Sequence, residues 1–102
     1  MSEYEVIVAP RAQRELSTFV SWWTENRPAT TGLVLREFED AVSHLATMPA
    51  LGASYRLSRR PGVRRLLLPR SRYHVYYVIN SERGEVRIMA VWHGQRGKGP
   101  RL

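Results

Sequence analysis

The chain contains no cysteine, which excludes disulfide staples, thiol nucleophiles and thiolate-ligated zinc together. Only three histidines are left as possible metal ligands, so neither a metal nor a bound cofactor is expected. Long apolar runs are also absent. Stretches such as Leu66–Leu68 fall far short of the ~20 apolar residues of a membrane span. The opening Met-Ser-Glu-Tyr-Glu is acidic where a secretion signal would be basic. The expected location is therefore the cytoplasm, with no membrane partner. Lysine is nearly missing too: fifteen of the sixteen basic residues are arginine, whose planar fork suits phosphate or carboxylate.

What is present fits one domain spanning residues 1–102, with 43% hydrophobic and 25% charged residues. At this length folding buries roughly two thirds of the chain's surface, enough for one core between a sheet and a helical layer and too little for an enclosed cofactor domain. Any site should be an open groove. The net charge of +7 is uneven, since residues 1–51 carry four Arg against seven acids and residues 52–102 carry twelve basic residues against two acids. The second half faces an anion. Arg56, Arg59, Arg60, Arg64, Arg65, Arg70 and Arg72 are interleaved with Tyr55 and Tyr73, a composition suited to nucleic acid or an acidic protein segment.

Periodicity supplies the elements. Tyr4, Val6 and Val8 alternate with Glu5 and Ile7, predicting a short strand that ends near Ala9 before Pro10 opens a helix. Leu16, Phe19, Val20 and Trp23 form an apolar stripe that runs until Arg27-Pro28. Thr30 or Thr31 is placed to cap a second helix with the stripe Leu35, Phe38, Val42 and Leu45, ending before Pro49. His44 lies off this stripe and reads as solvated surface. Residues 49–62 read as a long basic loop or a ragged edge strand. Val63–Leu68, Tyr73–Ile79 and Glu85–Trp92 then read as an antiparallel three-stranded meander. The expected class is α+β with the order βααβββ and the helices on one face of the sheet.

Alternation puts Tyr73, Val75, Tyr77 and Ile79 on one face of their strand and His74, Tyr76 and Val78 on the other. In the last strand it groups Val86, Ile88, Ala90 and Trp92 against Arg87, Met89, Val91 and His93. The expected core includes Trp23, Phe38, Val75, Tyr77 and Trp92. The tail His93-Gly94-Gln95-Arg96-Gly97-Lys98-Gly99 is glycine-rich and basic, but no helix follows it and no Ser or Thr adjoins the Lys, so it is not a P-loop. Its glycines would instead let His93 and Arg96 swing onto the open face of the sheet.

Several pieces occur in a telling order: Trp22-Trp23; Leu45 to Gly52 closing a helix; Pro61-Gly62-Val63-Arg64-Arg65; Arg72-Tyr73-His74-Val75-Tyr76-Tyr77-Val78; and Ile88 to Arg96. Over nearly the whole chain this resembles the RelE/ParE superfamily of toxins from type II toxin-antitoxin systems. The helix-ending Pro-x-x-Gly, the Tyr-x-x-x-Tyr strand and the final His-Gly-x-Arg are more similar to the ParE branch. That resemblance implies a toxin that inhibits DNA gyrase, is neutralised by a cognate antitoxin and can form a hetero-oligomer with it. Its target- or antitoxin-binding surface would be Arg56, Arg59, Arg60, Arg64, Arg65, Arg72, Tyr73 and Arg96.

The RelE branch implies a different target, ribosome-bound messenger RNA, cleaved without a metal. Against that branch Arg65 matches one basic position, Leu67 stands where a second is expected, His74 replaces an Arg, Arg96 approximates the next cation, and no Tyr follows it. The catalytic set on that alternative would be His74, His93, Arg96 and Arg65, since a ribonuclease must activate the 2′-hydroxyl, neutralise the phosphorane and protonate the leaving oxygen. A basic nucleic-acid-binding domain without toxic activity is a third alternative.

Overall fold

The computed structural model describes residues 3–94 and 99–102. Strand β1 (Glu5–Val8) leads into α1 (Pro10–Asn26), where proline fits the first turn because its missing N–H would have no partner there. A 3₁₀ turn at Pro28–Thr30 connects to α2 (Leu33–Thr47). Neither threonine caps this helix. Thr30 Oγ1 donates to Arg27 O at 3.5 Å and Thr31 Oγ1 to Pro28 O at 3.0 Å, so both hydroxyls are spent inside the turn and Gly32 takes the cap position.

The remaining strands are β2 (Ala53–Ser54), β3 (Arg64–Leu67), β4 (Tyr73–Asn80) and β5 (Glu85–His93), joined in one sheet of order β1-β5-β4-β3-β2. β1 runs parallel to β5 and all other pairs are antiparallel. This is the expected α+β frame, with the ragged stretch after Pro49 supplying a two-residue edge strand. The core lies between the helices and one sheet face: Phe19, Val34, Phe38, Ala41 and Leu45 meet Tyr73, Val75, Tyr77, Val86, Ile88 and Val91. Leu35 is 41% exposed, so the buried stripe of α2 runs through Val34 and Ala41 instead.

A β-bulge revises the alternation of β5. Tyr76 faces Ala90 but Tyr77 faces Ile88, which leaves Met89 as an extra residue and reverses the faces beyond it. Val91 and His93 therefore point to the helical side, whereas Ala90 and Trp92 point away from it. Trp92 is thus not in the main core; it packs in a second cluster with Val63, Tyr76, Tyr55 and Leu102 on the opposite face. β1 pairs with β5 only as far as Ile88. Further along, the Val91 N–H donates to Glu15 Oε1 at 3.0 Å, so α1 satisfies an amide that no strand reaches.

Two further devices hold the sheet ends. The Glu37 carboxylate on α2 accepts hydrogen bonds from the Arg70 and Ser71 amides at 2.9 and 2.8 Å, tying the β3–β4 hairpin to the helix layer. The same hairpin closes through Arg72 in the left-handed region, φ 69°, where glycine is the usual residue and a side chain costs roughly 1–2 kcal/mol. At the other end, Tyr77 Oη accepts from Gly52 N and donates to Pro49 O, both at 2.8 Å. A Cβ on Gly52 would fall 2.7 Å from that hydroxyl. Tyr77→Phe strips both groups of a buried partner and should lower stability by about 1–3 kcal/mol. The denaturant midpoint measures this, and an unchanged midpoint would deny the bridge its role.

Candidate functional site

β3 and β4 pair Arg65 with Tyr76 and Leu67 with His74, while β4 and β5 pair His74 with Trp92. Period-two alternation turns all of these side chains to the face away from the helices. There the Arg65 guanidinium lies 5.3 Å from the Tyr55 ring centroid. Tyr55 meets Tyr76 edge-on at 4.9 Å, and His74 stands 6.1 Å from Tyr76. The result is a cation set among aromatic rings, bordered by the loop that carries Arg56, Arg59 and Arg60, all exposed. Arg59 also lines a groove with residues Pro100 to Leu102. Pro100 is buried, and Gly99 stands so close to the Tyr55 hydroxyl that a Cβ there would force the phenol to shift.

Electrostatics favour a neutral imidazole here. Burial lowers the His74 pKa below its ordinary 6.5, and the charges of Arg65, Arg72 and His93 lower it further. Burial likewise raises the Tyr76 phenol, while a hydrogen bond with Arg65 acts in the opposite sense. The sign for stability follows from linkage. The unfolded chain takes up the His74 proton first as pH falls below about 6.5, so this group's contribution is present above that pH and lost below it. His74→Gln should therefore show a smaller drop in melting temperature between pH 7 and pH 5 than the parent chain. An equal or larger drop in the variant would contradict the assigned direction.

The residues expected to form one site divide between two faces. Arg65 and His74 come together on the open face, with Arg72 close enough to act on His74. His93 lies on the helical side, its ring edge-on to Tyr73 with centroids 4.9 Å apart, yet its charge still reaches His74. Tyr73 is only 4% exposed and stacks on Phe19 with ring centroids 4.5 Å apart, so it belongs to the core. Arg64 turns to the helical side and donates to Gly52 O at 2.6 Å and Ala50 O at 3.3 Å, holding the turn after α2. Arg96 lies outside the described residues. Tyr76, not named among the expected site residues, is 2% exposed and packs beneath this face, where it contacts Tyr55 and hydrogen-bonds Arg65; the β4 alternation that put it on the His74 face was its available signal. Among the described residues no His, Asp and Glu cluster could hold a metal ion, and no helix is long and apolar enough to cross a membrane.

Fold and site together define a small basic α+β domain that presents an arginine–tyrosine face. The chain belongs to the ParE toxin family of type II toxin-antitoxin systems (parDE), whose family model matches residues 6–97. Its structure is similar to a chain of the chromosomal ParDE system from P. aeruginosa, with TM-score 0.71 and 20% identity over 88% of this chain and 95% of that one. It is also similar to a chain of the RelBE2 toxin-antitoxin complex from Mycobacterium tuberculosis, with TM-score 0.60 and 26% identity over 91% and 93%. No curated protein matches the sequence.

Proposed function

We propose that this toxin acts by binding, with DNA gyrase as its target and an acidic segment of a cognate antitoxin as its neutralising partner. The match to the ParE toxin model over residues 6–97 carries this reading. The geometry supports it, because the open face sets an exposed arginine against the Tyr55 ring, with Tyr76 packed beneath and His74 beside it. That set is suited to recognition of an anionic surface. Both similar structures come from toxin-antitoxin systems, which supports an antitoxin partner and a hetero-oligomer with it. The twelve basic residues of the second half give an acidic tail its complement.

A second reading, cleavage of ribosome-bound messenger, is favoured by one observation: a neutral His74 beside Arg65 places a proton acceptor next to a fixed cation. Purified chain decides between the two. Loss of gyrase supercoiling activity, restored by antitoxin, is the expected result. Cut messenger on ribosomes with supercoiling intact would replace the first reading by the second.

A further inference from the structure

On the helical side, at the opposite end of the sheet from Tyr77, a cleft of about 570 Å³ opens between the last turns of α1 and the start of β4. That volume lies within the ~300–1,000 Å³ range of small-molecule sites. Its walls are aromatic. Trp22 is 46% exposed and meets Trp23 edge-on at 6.1 Å, and Trp23 Nε1 donates to Tyr73 Oη at 3.3 Å, which fixes the inner ring. Its cations are Arg27, whose guanidinium lies 5.9 Å from the Trp22 ring centroid, and Arg72 from the β3–β4 hairpin. Among the described residues no carboxylate lines the cleft.

Two observations mark this cleft as more than a gap in packing. Ser71, 2% exposed, is among its lining residues, and its buried hydroxyl has no hydrogen-bond partner among the described residues. Beside it Arg72 keeps a left-handed backbone that glycine would adopt freely. Glu37 holds the two preceding amides, and the Gly94 amide donates to Arg72 O at 2.8 Å, so the surrounding structure maintains the strain. Strain retained at a cationic residue on the rim of an aromatic cleft is expected where the side chain is used.

We propose that this cleft binds one nucleotide unit, the base against Trp22 and the phosphate between Arg27 and Arg72. An exposed indole beside two guanidiniums supplies the stacking platform and the anion clamp that nucleotide recognition combines. The volume exceeds what a single side chain of an acidic peptide would fill, which favours the nucleotide over that occupant. The unit can be a free mononucleotide or one residue of a single strand, and the cleft lies on the helical side of the sheet, with Arg72 near enough to the open face for its charge to reach His74.

The test uses the full chain and its tryptophan fluorescence, titrated in parallel with AMP, UMP, a short single-stranded oligonucleotide, adenosine, inorganic phosphate and an Asp/Glu-rich peptide. Saturable quenching by AMP or UMP, with adenosine and phosphate at least about 10-fold weaker, is expected. Tighter binding of the oligonucleotide than of either mononucleotide would assign the source to a strand; the reverse would assign it to a free nucleotide. Arg72→Gly should bind about 10-fold more weakly or worse while melting no lower than the parent, because it removes the cation and relieves the backbone together. Trp22→Ala should lose the quenching. Equal affinity for phosphate alone, saturation only by the acidic peptide, or wild-type affinity in Arg72→Gly would each overturn the proposal.

Discussion

Arg65→Glu should leave the chain folded and weaken target inhibition by about 100-fold or more. Arg65 is exposed and touches the rest of the molecule through Tyr55 and Tyr76, so its loss should cost the fold no more than about 1 kcal/mol. At an interface the effect is larger, because reversing a charge replaces an attraction with a repulsion, and losing a desolvated charged contact costs about 2–5 kcal/mol. About 2.8 kcal/mol is already 100-fold. The half-maximal concentration for supercoiling inhibition measures the first quantity and a thermal melt the second. Arg83→Glu, in the β4–β5 turn, is the matched control and should shift inhibition by no more than about threefold. Equal inhibition by Arg65→Glu and the parent would remove the open face from target binding.

Tyr73→Ala should cost about 3–5 kcal/mol, a large share of the 5–15 kcal/mol that holds an ordinary domain together. The ring centroid lies 4.5 Å from that of Phe19, stacked, and 4.9 Å from that of His93, edge-on, and the hydroxyl accepts the Trp23 indole N–H at 3.3 Å. Tyr73→Phe keeps the stack and loses the indole's acceptor, for about 1 kcal/mol. Equilibrium denaturation of the two variants separates these contributions. If Tyr73 were a surface docking residue, both would unfold at the parent's midpoint.

These two residues show how far the sequence can be read. The helices are legible because Pro10, Pro28 and Pro49 punctuate two apolar stripes of period 3.6, and β4 is legible because a clean alternation separates His74 and Tyr76 from Tyr73, Val75 and Tyr77. β5 is different. Ile88 to Trp92 is apolar at every position, since both faces of the strand are covered there, so the pattern carries no mark of the Met89 bulge. Every assignment beyond that residue consequently changes face, Trp92 and His93 included. The second arginine of the Arg64-Arg65 pair turns to the open face and the first braces the turn after α2, a distinction that rests on strand parity against β4. The aromatic cleft was out of reach for another reason: Trp22 and Arg27 are separated from Arg72 by more than forty positions, and only the packing of α1 on the sheet unites them.

Binding without proton transfer is most directly tested by His74→Ala, measured against the parent for gyrase supercoiling and for messenger cleavage on ribosomes in one buffer. Inhibition of gyrase by the parent, retained within about threefold by the variant because no proton moves through the imidazole, with messenger intact in both, is the expected result. Messenger cut by the parent, cleavage falling roughly 100-fold or more in His74→Ala as loss of a general base entails, and supercoiling untouched throughout would contradict it.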